Sequence, residues 1–188
     1  MSLPIIRVAL TLSMFALVPI KTHAGAFEDW GEATELVKKQ DYQAAIPLYT
    51  RAIDSNEYSG IYLAQLYHMR GRAKLLSHGI RLTNDEALLR STHSDLAESI
   101  RLNSKNHEVY NDRGAAYAML KDYKSAISDF SSAISLKGDY FDGFNNRCLA
   151  LASLGRKEEA IADCKKALRL NPTHWQPKRT LERLNAAQ

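Results

Sequence analysis

From Ala26 to the C-terminus, apolar side chains return every three or four residues, and short polar breaks interrupt them at regular intervals. That spacing lays apolar groups along one stripe of an α-helix. Phe144, Cys148 and Leu151 form one such stripe, and Ala160, Cys164, Ala167 and Leu168 form the next. Gly155 separates them and Asn171-Pro172 closes the second, as helix-stop chemistry requires. The chain therefore predicts helix pairs joined by tight turns. The first two dozen residues follow another plan. Val8–Ile20 is an apolar run, VALTLSMFALVPI, interrupted only by Thr11 and Ser13.

The helix pairs repeat. At a shift of 34 residues, Asn111 falls on Asn145, Arg113 on Arg147, Ala116 on Ala150 and Leu120 on Leu154. Ala126-Ile127, Asp129, Ala133 and Leu136 fall on Ala160-Ile161, Asp163, Ala167 and Leu170. Upstream, Tyr67, Arg70, Gly71 and Ala73 match Tyr110, Arg113, Gly114 and Ala116 at a shift of 43, while Asp95, Ile100 and Leu102 match Asp129, Ile134 and Leu136 at 34. The second unit thus carries nine extra residues between its halves, in the stretch Ser77 to Thr83. Asp41-Tyr42, Ala45-Ile46 and Ala52-Ile53 repeat as Asp122-Tyr123, Ala126-Ile127 and Ala133-Ile134. Four units result: about 26–59, 64–106, 107–140 and 141–174. A lone hairpin cannot bury both faces, so each unit needs a neighbour.

Thr83 followed by Glu86 reads as a capping box, predicting a helix from about Asp85 to Leu102. Pro177 suits the first turn of a final helix, Lys178 to Asn185, with Leu181 and Leu184 inward. Such a helix caps the stack over residues 177–187. Small residues such as Gly114 and Ala126 let paired helices approach, and Tyr117 and Phe130 fill the space between hairpins.

An aromatic, Leu/Arg-Gly and aromatic in the first helix, then Ala, aromatic, Ala and Pro in the second, resembles the tetratricopeptide repeat. The fourth unit supplies Phe144, Arg147-Cys148, Leu151, Ala160, Cys164, Ala167 and Pro172. The third supplies Tyr110, Arg113-Gly114, Tyr117, Ala126, Phe130 and Ala133, with Gly138 where the family has Pro. The resemblance implies an all-α, right-handed superhelical solenoid of four helix pairs plus a C-terminal capping helix, spanning 25–188. It also implies a concave face lined by the first helix of each pair, which holds a peptide segment or a partner helix. Family positions put Trp30, Thr34, Gln65, His68, Arg72, Glu108, Asn111, Ala115, Asn145, Asn146 and Leu149 on that face. Some members clamp a terminal carboxylate with Lys and Asn. Here Asn111 and Asn145 replace that Lys, and Ala115 and Leu149 replace that Asn, which speaks against such a clamp. Asn side chains both donate and accept, so they suit peptide backbone.

Composition adds location and excludes some functions. Met1–Arg7, the apolar run, and the small residues after Lys21 make the three parts of a secretory signal peptide, residues 1–24. The run is too short to span a bilayer. Cleavage is expected after Ala24, or after Ala26 as the alternative, giving a periplasmic or secreted protein with no membrane span in the mature chain. Of 25 Lys and Arg residues, Arg7 and Lys21 leave with the leader, so 23 basic side chains face 21 acidic ones. That small excess forms no clustered basic face and does not predict nucleic-acid binding.

No phosphate loop, nucleophile elbow or zinc-protease motif is present, so neither enzyme chemistry nor a cofactor is expected. Six scattered histidines, His23, His68, His78, His93, His107 and His174, offer no metal-ligand spacing. Arg70, Arg113 and Arg147 recur at one repeat position, and Asp95, Asp129 and Asp163 at another, which predicts a charge pair stitching helices together. The alternative is that these arginines hold an acidic ligand. Cys148 and Cys164 invite a disulfide in an exported chain. The register that sets Cys148 opposite Ala160 puts their Cα atoms beyond the roughly 7 Å a bridge tolerates, so two buried thiols are expected. Function is expected to be adaptor binding of a protein or extended peptide in the groove. The alternative is a structural subunit of an envelope assembly, held at stack ends near Trp30 or Trp175.

Overall fold

The computed structural model describes residues 24–81 and 85–186. The leader, apart from Ala24, Thr83 with its expected cap, and the last residue of the 177–187 cap lie outside them. Among the described residues nine helices run in order: α1 (Ala24–Lys38), α2 (Tyr42–Asp54), α3 (Gly60–Arg81), α4 (Glu86–Leu102), α5 (His107–Met119), α6 (Tyr123–Leu136), α7 (Phe141–Ser153), α8 (Lys157–Leu170) and α9 (Trp175–Ala186). Consecutive helices pair as hairpins and each hairpin packs on the next, giving an all-α solenoid. Odd-numbered helices also touch one another, α3 on α5, α5 on α7 and α7 on α9, so they share the inner face. Among the described residues no helix is long and apolar enough to cross a membrane.

Local chemistry sets the helix ends. The carboxylates of Asp41, Asp85 and Asp122 accept from the backbone N–H groups of Ala44, Leu88 and Ser125. Each satisfies one of the donors that a helix start leaves unpaired. Asp85 caps α4, the role the sequence had suggested for Thr83. The hairpin turns of units one, three and four each need one left-handed residue. Gly155 adopts φ +74° there, where Gln40 and Lys121 sit at +62° and +63°; only the glycine does so without steric cost. The nine extra residues of unit two lengthen its first helix. α3 has 22 residues against 13 in α5 and α7, about 13 Å more rod at 1.5 Å per residue.

The recurring ion pairs join the two helices of each unit. Arg70 grips Asp95 with bonds of 2.6 and 2.9 Å, Arg113 grips Asp129 at 2.7 and 2.8 Å, and Arg147 grips Asp163 at 2.7 and 2.9 Å. A third donor of Arg70 reaches Thr50 Oγ1, and one of Arg147 reaches Ser131 Oγ, both in the preceding unit. One guanidinium therefore closes its own hairpin and ties it to the one before. The arginines are thus committed to structure rather than open to an acidic ligand.

The two cysteines are bonded to each other, which corrects the expectation of free thiols. Their Cα atoms lie 5.4 Å apart. The assumed register was one turn out: Cys148 faces Cys164, as Gly114 faces Phe130 and Gly71 faces Leu96. A methyl group on Gly114 would lie 2.7 Å from the Phe130 ring, so that small–large pair is already in full contact. Unit four replaces it with two mid-sized side chains and a covalent bond. The volume lost with the aromatic ring is restored from the cap. Phe130 packs beside Ala150, whereas Cys164 packs beside Leu184, one repeat further on. Leu181 joins Leu184 against the bridge, as expected of a capping helix. α9 begins at Trp175, earlier than expected, and buries Pro177 in its first turn.

Candidate peptide-binding face

The shared inner face of α3, α5, α7 and α9 carries a ladder of polar side chains that crosses from helix to helix. His68 Nε2 lies 2.9 Å from Asp112 Oδ2. Arg72 stands 3.7 Å from Glu108 and 3.9 Å from the same Asp112. Asn146 Nδ2 donates to Asn111 Oδ1 at 3.0 Å. Asn145 Nδ2 donates to Gln176 Oε1 at 3.2 Å and to Asn146 Oδ1 at 3.3 Å. His68, Asn111 and Asn145, which share one repeat position, thus each bond to a side chain on the next inner helix and hold the units in register.

This divides the residues read from the sequence into two groups. His68, Asn111 and Asn145 are buried, at 2%, 8% and 4% exposure, and each gives one polar atom to a bond with the next inner helix, while Asn145 Oδ1 is buried with no hydrogen-bond partner. Asn146 is half-buried in the same ladder. Gln65 and Glu108 are exposed, and Arg72 and Leu149 are partly so. Gln65, Glu108 and His68 line a cavity of about 280 Å³ with Asn106 and Ile61. Leu149 lines a larger one of about 610 Å³ between α7 and α9. Trp30 and Thr34 sit apart, in the first unit. The Trp30 ring meets Tyr58 and Tyr62 edge-on, at 5.3 and 6.4 Å, and Thr34 donates to the Trp30 carbonyl at 2.9 Å.

Reading only the four units missed the charge of this face. Asp112 and Asp142 stand with Glu108 near its middle, and Gln176, Arg179 and Arg183 extend it along α9. A further shift of 34 residues would have found the last three, since they follow Asp142, Asn145 and Leu149. The acidic character acts on Tyr140, at the start of α7. Burial pushes its phenol well above the usual range, and Asp142, Asp112 and Glu108 add to the shift. Away from this face, His93 on α4 contacts the Tyr117 hydroxyl at 2.5 Å. Burial, with the Arg113 charge, holds its imidazole below the ordinary histidine value.

Models of the tetratricopeptide repeat match residues 107–140 and 141–174. The chain is a tetratricopeptide-repeat protein. The repeat match lies on units three and four, the backbone of the inner face. No curated protein matches the chain. Several solved tetratricopeptide-repeat structures share its fold. A crystal structure of MamA superposes with a TM-score of 0.70 at 18% identity, covering 86% of this chain and 81% of its own. YrrB, described as having an unusual peptide-binding site, gives 0.68 at 19% identity, covering 84% and 74%. The first repeat domain of Spaghetti (RPAP3), solved with the HSP90 peptide SRMEEVD, gives 0.61 at 21%, covering 70% and 98%.

Proposed function

We propose that this tetratricopeptide-repeat chain is an exported interaction scaffold that holds an extended segment of a partner protein along the inner face of α3, α5, α7 and α9. The observation that carries this reading is the rigid polar ladder flanked by open side chains and two cavities. Its buried amides fix the surface, and Gln65, Arg72, Glu108 and Leu149 remain for a ligand. Peptide binding by YrrB and by the RPAP3 module supports the same use of the fold here. Export is supported by the leader-like first 24 residues and by the Cys148–Cys164 bridge, since disulfides persist in oxidising compartments. The alternative, assembly through the stack ends, draws on Phe27, Ile61 and Tyr62, which are 75%, 63% and 60% exposed around the first two units.

The buried amides are poor choices for testing the groove, because Asn111→Ala or Asn145→Ala removes bonds between helices and each costs about 1 kcal/mol of stability. The open positions separate binding from folding. Gln65→Ala, Arg72→Ala and Glu108→Ala together remove only the half-exposed Arg72 ion pairs from the ladder, which costs ~0–1 kcal/mol, and are expected to lower the melting temperature little while weakening partner capture about tenfold, roughly 1.4 kcal/mol. Full-strength capture by this variant contradicts groove binding. The export half is tested separately by intact mass. Chain recovered from outside the cytoplasm is expected to start at Gly25, or at Phe27, and a species retaining Met1 would instead indicate an anchor.

A further inference from the structure

We infer that α9 is a redox-linked lid, which seals the Cys148–Cys164 bridge from attacking thiols while docked and is released from the stack when the bridge is reduced. This goes beyond the groove reading and does not rest on it. Both cysteines are 0% exposed. Thiol–disulfide exchange needs a thiolate to reach one of the two sulfurs, so a bridge this deep reacts only after something moves. Leu181 and Leu184 of α9 pack against it, as do Ile127 of α6 and Ala152 of α7 from within the stack. Of these covers, α9 is the one free to leave. It packs on α7 and α8, and among the described residues no helix lies beyond it. Among those residues no ion pair ties it to another helix, and its one side-chain hydrogen bond to another helix joins Gln176 to Asn145.

Reduction loads that weak point. Once the covalent bond is gone, the two sulfurs part to ordinary non-bonded contact, roughly 3.5–4.0 Å for heavy atoms. Two thiols therefore demand room that a close-packed core does not hold. α7 and α8 cannot spread to supply it, because Arg147 grips Asp163 at 2.7 and 2.9 Å, one residue before each cysteine. The displacement falls on Leu181 and Leu184. The coupling is reciprocal: docked α9 favours the bonded cysteines, and the bond favours docked α9. Unit three, with Gly114 and Phe130 at these positions, has no such link to the helix stacked on it. The reductant is a dithiol, either a small molecule or the active-site pair of a thiol–disulfide oxidoreductase. Its first thiolate attacks one bridge sulfur to form a mixed disulfide, and the other cysteine leaves and takes a proton. Its second thiolate then closes on the first and frees the remaining cysteine, so two electrons pass to the bridge and the reductant becomes a disulfide. Release of α9 withdraws Gln176 from Asn145 and shortens the inner face by one helix.

The purified, disulfide-bonded mature chain tests this with dithiothreitol, alkylation of freed thiols and intact mass. Without denaturant, the wild-type bridge is expected to be reduced at least tenfold more slowly than that of Leu181→Ala with Leu184→Ala. Leu66→Val, in the core of the first two units, loosens the fold away from the lid and should leave reduction as slow as in the wild type. Equal rates in the wild type and the α9 variant overturn the lid, because the bridge is then already open. Equal acceleration by Leu66→Val does so too, because the bridge then opens only with the whole fold. The wild-type chain alone supplies the second arm, reduced in denaturant and refolded with reductant present. Its amide exchange is expected to be at least tenfold faster in α9 than in the oxidised chain and unchanged in α5 and α6, and reoxidation should restore the slow rate. Unchanged exchange in α9, or equal acceleration in all three helices, overturns the release.

Discussion

Asp95→Asn is expected to destabilise the fold by about 3–5 kcal/mol, the cost of leaving a buried charge without its partner. Asp95 is 4% exposed and answers two cations at once: Arg70, and Lys74, whose Nζ lies 2.8 Å away. Both cations are themselves largely buried, with side-chain exposures of 14% and 11%. Neutralising the aspartate leaves two positive charges facing each other in the middle of unit two. Lys74 is the unusual member, since the same position holds Tyr117 in unit three and Leu151 in unit four. Lys74→Leu is accordingly expected to be neutral or stabilising, because Arg70 and Asp95 then form the pair found in the other units. Denaturant unfolding followed by circular dichroism checks both. A mild effect of Asp95→Asn, or severe loss on Lys74→Leu, contradicts the ion-pair description.

Cys148→Ala with Cys164→Ala is expected to lower stability by about 3 kcal/mol, from the chain entropy that a bridge across roughly 15 residues removes from the unfolded state. For a chain of this size that is a fall of about 6–12 °C in melting temperature. The bridge lies beneath Leu181 and Leu184, so the loss should be felt first at the cap. Amide exchange should accelerate in α9 before it does in α5 or α6. Thiol labelling of the unreduced wild-type chain in denaturant is expected to find no free thiol. Two reactive thiols there, or an unchanged melting temperature in the double variant, would mean that the bridge does not hold the fold.

The repeat was legible because packing demands it. A residue that must be small where two helices touch, such as Gly114 or Ala126, recurs one unit later for the same steric reason. The arginine–aspartate stitch was legible for a similar cause, since each pair is needed to close its hairpin. The disulfide also has a signal in the sequence. Arg147 and Asp163 are 16 positions apart, and so are Cys148 and Cys164, each one residue further along; if the first pair meets, the second lies close by. Helix continuation through the insert was not legible, because Gly79 and Thr83 are as compatible with a loop as with a longer rod. Nor could sequence reveal that Asn111, Asn145 and Asn146 bond across units rather than to a ligand. An exposed amide and one satisfied by a neighbouring helix look the same in one dimension, and only the stacking angle decides.

Binding along the inner face is tested most directly by site-specific photo-crosslinking in the producing cell. A benzophenone amino acid is placed in turn at Gln65, Glu108 and Leu149, which open onto the inner face, and at Ser94 and Ala162, exposed on the outer helices α4 and α8. The expected result is one partner captured from the first three positions and not from the last two, with crosslinked residues falling in a single stretch of the partner chain. Capture from Ser94 and Ala162 alone, or only from a probe at Phe27 beside the first unit, would contradict groove binding and place the interface on the outside or the end of the stack.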